Sequence, residues 1–226
     1  MARRRPRHRL ARRRPQRESY DRVLIVCEGE KTEPSYFSDL LAHYRLSMAN
    51  IEIVGSGADP GTVVKQAKKR RWKEIRHGEK YDRVYCVFDR DEHATFDKAC
   101  EEATASGITP IRSWPCFEFW LVLHFRYSRQ PYGRSGGRSA AQNCVEELRQ
   151  HLPGYAKAKR GVFGRLEDSL EQAKVNAALA LTDAVETAAF NPSTEIHLLV
   201  EYLQSLVPEP GKGYAIDDPG TFPSVP

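Results

Sequence analysis

Acidic residues follow two separate apolar runs of the sequence, and their side chains are the first candidates for chemistry. Glu28 comes directly after the branched run 22–27, and Asp89 and Asp91 come after the run 84–88. Such runs are typical of strands covered on both faces, and the carboxyl ends of parallel strands line one edge of a sheet. Carboxylate oxygens at that edge could hold Mg²⁺ or Mn²⁺ against phosphate oxygens. The alternative is that these acids are ordinary loop residues or helix caps.

A glutamate and a lysine are further candidates for the same site. Glu118 lies in the strongly apolar run 117–125, for which a helix is predicted. Because an unpaired buried carboxylate is costly, Glu118 either faces the metal site or pairs with a cation such as Arg112. Lys157 belongs to a short basic run and could neutralise charge in phosphoryl chemistry. The alternative for Lys157 is a solvated surface.

Clusters of basic residues predict contacts with nucleic-acid phosphates. Residues 1–17 contain nine arginines and no acid, so the remainder of a chain with net charge +5 sums to −4. A cationic arm on a mildly acidic body favours phosphate binding by the arm, with a solubilising tail as the alternative. For the other basic clusters, plain solvation is the alternative. The candidate nucleic-acid contacts are Arg3, Arg4, Arg5, Arg12, Arg13, Arg14, Lys68, Lys69, Lys159 and Arg160.

Apolar patterning predicts the elements that must position these side chains. Branched runs alternate with helical periodicity as far as Trp114, which implies an α/β domain whose parallel sheet is flanked by helices. Pro110 favours an edge or a bulge for the fourth strand. A helical part follows, in which Ser193 and Thr194 are expected to cap the last helix. Strands are predicted at 22–27, 51–54, 84–88 and 108–113, and helices at 34–44, 62–76, 96–106, 117–125, 140–151, 165–186 and 193–206.

Composition excludes several classes of protein. Hydrophobic residues make up 40% of the 226 residues, which supports a packed core. No apolar stretch approaches the roughly 20 residues that span a bilayer, and no signal-peptide core follows the basic start. We therefore expect a soluble, cytoplasmic protein that has no membrane partner. Five cysteines without a CxxC pair fit neither a disulfide framework nor a four-ligand zinc site.

The acidic turns resemble the Toprim pattern of the RloB-like proteins. The resemblance rests on residues 23–34, VLIVCEGEKTEP, and on residues 87–93, VFDRDEH. It continues through blocks at 114–120 and 191–194 and so covers most of the chain, although the family usually has Asn at the position of Trp114. It implies a Toprim-like sheet, the fold of topoisomerases, primases and related nucleases, in which a strand-end Glu and a later Asp-x-Asp hold a divalent metal.

The resemblance also implies roles for individual residues. Glu28 would be the general base or a metal-linked acid, Asp89 and Asp91 would be metal ligands, and Glu33 would match a second acid of the same turn. RloB-like proteins are associated with bacterial antiviral defence, often beside an ATPase, so a partner ATPase is implied as well.

Taken together, these observations predict a metal-dependent nuclease that hydrolyses phosphodiester bonds in DNA or RNA with Mg²⁺ or Mn²⁺. Its catalytic candidates are Glu28, Glu118 and Lys157, and its metal candidates are Glu28, Glu33, Asp89 and Asp91. The alternative is a non-catalytic Toprim-like module that binds nucleic acid or a partner ATPase. The expected organisation is a disordered arm at 1–17, a Toprim-like RloB domain at 18–207 with its helical elaboration from about 114, and a flexible tail at 208–226.

Overall fold

A five-stranded sheet forms the centre of the protein, and the computed structural model describes residues 21–48, 50–90 and 95–207. The strands are β1 (Val23–Cys27), β2 (Ile51–Gly55), β3 (Arg83–Asp89), β4 (Thr109–Trp114) and β5 (Ser193–Thr194). They lie in the order β2-β1-β3-β4-β5. The first four run parallel, and β5 is antiparallel to β4. The predicted α/β sheet is therefore confirmed.

Helices cover both faces of this sheet. They are α1 (Thr32–His43), α2 (Pro60–Arg76), α3 (Phe96–Ala105), α4 (Glu118–Val122), α5 (Ala140–His151), α6 (Leu170–Thr187) and α7 (Ile196–Ser205). Up to β4, strands and helices alternate, as the sequence predicts. The helices from α4 onward form the predicted helical elaboration and share one core with α1.

The side chains of β1 alternate between two cores. Its odd-numbered residues pack with α1 and the C-terminal helices, whereas Leu24 and Val26 pack with α2 and α3. Every residue of β1 is fully buried because both faces of the strand are covered, which explains its continuous apolar run. Parallel pairing in the register Cys27 to Val87 brings the carboxyl ends of β1 and β3 side by side.

Three segments differ from the sequence prediction. The apolar run 117–125 is helical only to Val122, where the chain turns. The helix predicted from 165 is preceded by two 3₁₀ turns, so α6 begins at Leu170. Ser193 and Thr194 form β5 instead of the first turn of the last helix, because they pair with the end of β4.

The pairing of β5 also explains the proline in β4. Because β5 pairs with Ser113 and Trp114, the stretch of β4 around Pro110 pairs with β3 alone within the described residues. A proline is tolerated on such an edge because its missing N–H removes no ladder hydrogen bond there. The hydroxyls of Ser113 and Thr194 lie 2.8 Å apart across the short β4–β5 ladder.

Some predicted features lie outside the described residues. These are the arm at 1–17, the tail at 208–226 and the aspartate Asp91. In the part of the chain that the structure describes, no helix is both long enough and apolar enough to cross a membrane.

Candidate active site

An open cleft of about 590 Å³ lies at the carboxyl ends of the parallel strands. Its walls are residues 28–33, which form the turn after β1 and the start of α1, the loop residues 57–59 before α2, and residues 157–158. Asp89 at the end of β3 and Glu118 at the start of α4 complete the lining. Ligands of open parallel sheets bind at this edge, because the loops that diverge from the strand ends leave a crevice there.

Glu28 and Asp89 meet at the floor of this cleft. The backbone N–H of Glu28 donates to the carbonyl of Val87 at 2.9 Å, which extends the pairing of β1 with β3 by one residue. The side chain of Glu28 then turns toward β3, where its Oε2 accepts the backbone N–H of Asp89 at 3.1 Å. The structure thus brings together the two acids that the sequence places after separate strands.

The Asp89 carboxylate is held from the other side by α4. Its Oδ1 accepts the backbone N–H of Phe117 at 2.8 Å. Burial raises the pKa of Asp89 well above its usual range, and the nearby carboxylates of Glu33, Glu118 and Glu28 raise it further. Lys157 acts in the opposite direction. Asp89 therefore lies among like charges in a position where ionisation is unfavourable without an added cation.

Glu33 enters the cleft from the first turn of α1 and packs over Gly29. A Cβ atom at Gly29 would lie 1.8 Å from Oε2 of Glu33, so only glycine leaves room for this carboxylate. Glu33 is 4% exposed. Burial and the charges of Glu118 and Glu28 raise its pKa to about 7, against an opposing effect of Lys157. Gly29 therefore allows the carboxylate of Glu33 to pack close to the turn that carries Glu28.

Glu118 is paired with a lysine and a tyrosine from the segment before the 3₁₀ turns. Its carboxylate is buried, and Oε1 accepts the hydroxyl of Tyr155 at 2.8 Å and lies 3.5 Å from Nζ of Lys157. The alternative partner considered from the sequence, Arg112, is wrong, because its guanidinium pairs with Glu195 beside β5. The structure therefore places Glu118 at the cleft together with its own cation.

Lys157 is the cation that lies beside the buried Glu118 carboxylate in this cleft, which Lys31 also lines. Burial lowers its pKa, but the attraction of neighbouring groups, above all Glu118 and with it Asp89 and Glu33, outweighs burial and raises the pKa above its ordinary value. Lys157 is therefore charged at neutral pH. Its side chain is still 61% exposed, so the ammonium group remains accessible to a ligand in the cleft.

The sequence did not single out the residues that hold the Lys157 segment in place. Tyr155 anchors Glu118, and the backbone N–H of Ala158 donates to the Thr32 hydroxyl at the start of α1 at 3.0 Å. Next to it, the N–H of Gly161 donates to Asp39 at 3.2 Å. The position of Tyr155 two residues before Lys157 was the only available signal, since the other partners lie more than a hundred residues away along the chain.

The remaining candidates among the described residues do not line the cleft. Lys159 donates to the carbonyl of Gly154 at 3.0 Å, and Arg160 is exposed. Lys68 pairs with Glu102 of α3, whereas Lys69 is exposed on α2. The metal candidate and the arm candidates that lie outside the described residues are Asp91, Arg3, Arg4, Arg5, Arg12, Arg13 and Arg14.

The described residues contain no group of three or more His, Cys, Asp or Glu side chains placed to hold a metal ion. In the cleft, Glu28 and Asp89 each accept a backbone N–H, and Glu118 accepts the Tyr155 hydroxyl. The donor chemistry nevertheless fits Mg²⁺, because this ion usually takes one or two carboxylates and fills its other positions with water and substrate phosphate. Glu28, Glu33 and Asp89 are the described residues that could supply those carboxylates.

Comparison with protein-family models matches residues 23–203 to the model described as RloB-like protein. The matched span includes every described residue of the cleft, from Glu28 to Ala158. No curated protein matches the chain.

Proposed function

The chain belongs to the RloB-like protein family, and we propose that it is a metal-dependent nuclease that hydrolyses phosphodiester bonds in nucleic acid. The proposal is carried by one observation, the convergence of carboxylates around the charged and accessible Lys157 at the carboxyl edge of a parallel sheet. Three segments meet at this point, with Glu28 and Glu33 from residues 28–33, Asp89 from the end of β3 and Glu118 from the start of α4. A cluster that raises the pKa of its own members is unfavourable for the fold alone, which supports a role in binding a cation.

The residues of the cleft are proposed to have two roles, binding a metal ion and binding phosphate. Glu28, Glu33 and Asp89 would contribute carboxylate oxygens to Mg²⁺ or Mn²⁺, and Asp91 is proposed as a further ligand from the family resemblance. When bound, such an ion polarises the scissile phosphate and neutralises charge on the leaving oxygen.

The chain's own lysine would act on the same phosphate. Lys157 remains charged because Glu118 lies 3.5 Å away, and its exposed ammonium can donate to a phosphate oxygen as negative charge develops. Glu118 and Tyr155 fix the position of that lysine. Among the described residues, no tyrosine lines the cleft. We therefore propose attack by water rather than by a tyrosine nucleophile.

The biological setting of this activity is proposed from the family resemblance. It comprises a Toprim-like fold, a role in bacterial antiviral defence, and a partner ATPase besides the nucleic-acid substrate. A cytoplasmic location is proposed from the composition of the chain.

One specific observation favours a second function, a non-catalytic module that binds nucleic acid or a partner ATPase. The carboxylates of Glu28 and Asp89 already accept backbone N–H groups, and Lys157 already neutralises Glu118. A cleft with these partners could be stable without a metal.

A cleavage screen separates the two functions. Labelled single-stranded and double-stranded DNA and RNA are incubated with the full chain in Mn²⁺, in Mg²⁺ or in EDTA. We expect cleavage of at least one substrate with metal, none in EDTA, and a rise in melting temperature with metal by mass action. If the melting temperature does not change with metal and no substrate is cleaved, the non-catalytic binding module is the function that remains.

A further inference from the structure

The outer face of α2 carries cations and an indole in a single row. The helix is anchored by Val63, Val64 and Ala67, which pack with β1 and β3. Residues spaced three or four positions apart lie on one side of a helix. One such row lies on the side of α2 opposite to its buried residues, and we call it the outer stripe: Lys65, Lys69, Trp72, Lys73 and Arg76.

The cations of the outer stripe differ from those on its flanks. On the flanks, Lys68 pairs with Glu102, Arg70 pairs with Glu52, and Arg71 donates to the carbonyl of Ser106. Within the described residues, no carboxylate lies within ion-pair distance of the stripe's own lysines or of Arg76. The flanking cations stabilise the fold, whereas the positive charge of the stripe is available to an external anion.

Trp72 is the second, independent feature of this surface. Its side chain is 64% exposed, although tryptophan is a residue that folding normally covers. The guanidinium of Arg76 lies 5.3 Å from the centre of its ring, and the other face of the indole has no aromatic partner among the described residues. An exposed indole among unpaired cations is the combination that stacks on a nucleobase while neighbouring charges contact phosphates.

The outer stripe begins beside the acidic cleft. Asp59, which lines the cleft, caps α2 by accepting the Thr62 hydroxyl at 2.6 Å and the Thr62 N–H at 3.3 Å. From Lys65 to Arg76 the helix then rises about 16 Å away from the cleft edge. A strand whose phosphate lies in the cleft could therefore continue along α2.

We propose that the outer stripe binds single-stranded nucleic acid, with Trp72 stacked on a base and the surrounding cations on phosphates. The single strand follows from the indole, because a base inside a duplex is already stacked and presents no free face. This inference rests on the proposed function, which it deepens by naming the class of substrate. An acidic protein or an anionic membrane surface would use the lysines but would have no need of stacking.

Direct binding measurements test the proposal. Fluorescence anisotropy of labelled oligothymidylate, oligouridylate and a hairpin duplex is recorded with the full chain over a range of salt concentrations. Trp72→Ala is expected to weaken single-strand binding about tenfold and to leave duplex binding nearly unchanged. Lys69→Gln with Lys73→Gln should lower affinity and reduce the salt slope by about 1.4, since each phosphate contact contributes roughly 0.7 for single strands.

Matched controls lie elsewhere on the surface. Tyr127→Ala removes an aromatic side chain that is 45% exposed outside the stripe, and Lys68→Gln removes a lysine that is paired with Glu102. Both controls should bind like the wild type. Wild-type affinity in the Trp72 and double-lysine variants would overturn the proposal, as would an equal loss of duplex binding on Trp72→Ala. If the double-lysine variant lost binding to phosphatidylglycerol vesicles while its oligonucleotide binding was unchanged, the stripe would bind a membrane surface instead. That result would overturn the proposal as well.

The two proposals can fail separately. If cleavage depends on Asp89 while Trp72→Ala binds and cleaves like the wild type, the nuclease stands and the surface assignment falls. If no substrate is cleaved but single-strand binding depends on Trp72, the surface stands and the nuclease falls. Where both hold, Trp72→Ala should raise KM for a single strand and leave kcat unchanged.

Discussion

The acidic cleft and the outer stripe of α2 both concentrate charge, but they hold it in different ways. In the cleft, Glu33 and Glu118 are buried, and backbone N–H groups orient Glu28 and Asp89. On the stripe, the cations are solvated and have no ion-pair partner among the described residues. The side chains of the cleft come from segments that are distant in sequence, whereas those of the stripe all belong to one helix.

This difference separates chemistry from affinity. Charges inside the cleft have an ionisation that their neighbours control, so substitution there should change rate, metal affinity and pH dependence. Charges on the stripe are surrounded by water and counterions, so substitution there should change affinity and its dependence on salt. The following predictions test this separation of chemistry from affinity.

The largest effect is expected for Asp89→Asn. The change keeps an Oδ1 acceptor for the N–H of Phe117 but removes the negative charge of a proposed metal ligand at the centre of the cleft. Cleavage should fall at least about a hundredfold, the scale of losing one preorganised electrostatic group. The melting temperature without metal should not fall, because the substitution removes a charge that its neighbours oppose. Asp91→Asn should show the same loss of activity.

Asp168→Asn is the matched control, since this aspartate is exposed in the 3₁₀ turn before α6, away from the cleft. It should cleave like the wild type. Wild-type activity in Asp89→Asn would exclude the metal mechanism, whereas unfolding of the variant would show that this acid is structural.

The second prediction concerns the pH dependence of stability without metal. The pKa of Glu33 is raised to about 7 in the folded protein, above the value of about 4.3 expected for an unfolded chain. The protonated carboxyl therefore stabilises the fold fully below pH 4.3, and this stability is lost as pH rises toward 7. Glu33→Gln should reduce this pH-dependent loss in the free energy of unfolding by roughly 1 to 3 kcal/mol, which urea denaturation at several pH values would measure.

The exposed carboxylate of Glu101 on α3 provides the control for that experiment. Glu101→Gln should leave the pH profile of the wild type intact. If Glu33→Gln shows the wild-type profile too, its carboxyl is not held against the other acids, and the cleft is less tightly coupled than its geometry indicates.

The strands and the location of the cleft were predictable because local patterns determine them. The run before Glu28 is continuously apolar since β1 is covered on both faces, and strand-end acids such as Asp89 follow from the same pattern. The two acids meet because β1 and β3 are parallel neighbours in the sheet. The end of α4 and the short β5 were not predictable, because a two-residue strand depends on tertiary pairing with β4 rather than on its own sequence.

The partners of Glu118 were also beyond the sequence. The sequence suggested Arg112 as its cation and did not indicate Lys157, because this pairing depends on how the segment around Tyr155 docks against α1. The same limit applied to α2, where Lys68 and Lys69 are neighbours in sequence but only Lys68 forms an ion pair. The difference depends on the position of Glu102 on the neighbouring helix, which the sequence does not give.

The third prediction concerns residues 1–17, whose nine arginines make them the most basic part of the chain. Deleting them should lower affinity for nucleic acid about tenfold and flatten its salt dependence, because fewer counterions are released. Cleavage at saturating substrate should be retained, since the chemistry is proposed to lie in the cleft. Unchanged affinity and salt slope would exclude a phosphate-binding arm, and a loss of kcat would contradict the separation of affinity from chemistry.

The smallest effect is expected for Lys68→Gln, which locates the boundary of the outer stripe. Lys68 lies one residue before Lys69, but its Nζ is 2.7 Å from Glu102 on α3. Because this pair is partly exposed, its loss should shift the melting temperature by about 2 °C or less, and oligonucleotide affinity should change less than about twofold. Lys69→Gln should instead weaken binding and reduce the salt slope. If Lys68→Gln weakens binding as much as Lys69→Gln does, the ion pair with Glu102 opens when nucleic acid binds. Flanking cations then belong to the binding surface, and the contrast between paired and unpaired charge on α2 no longer holds.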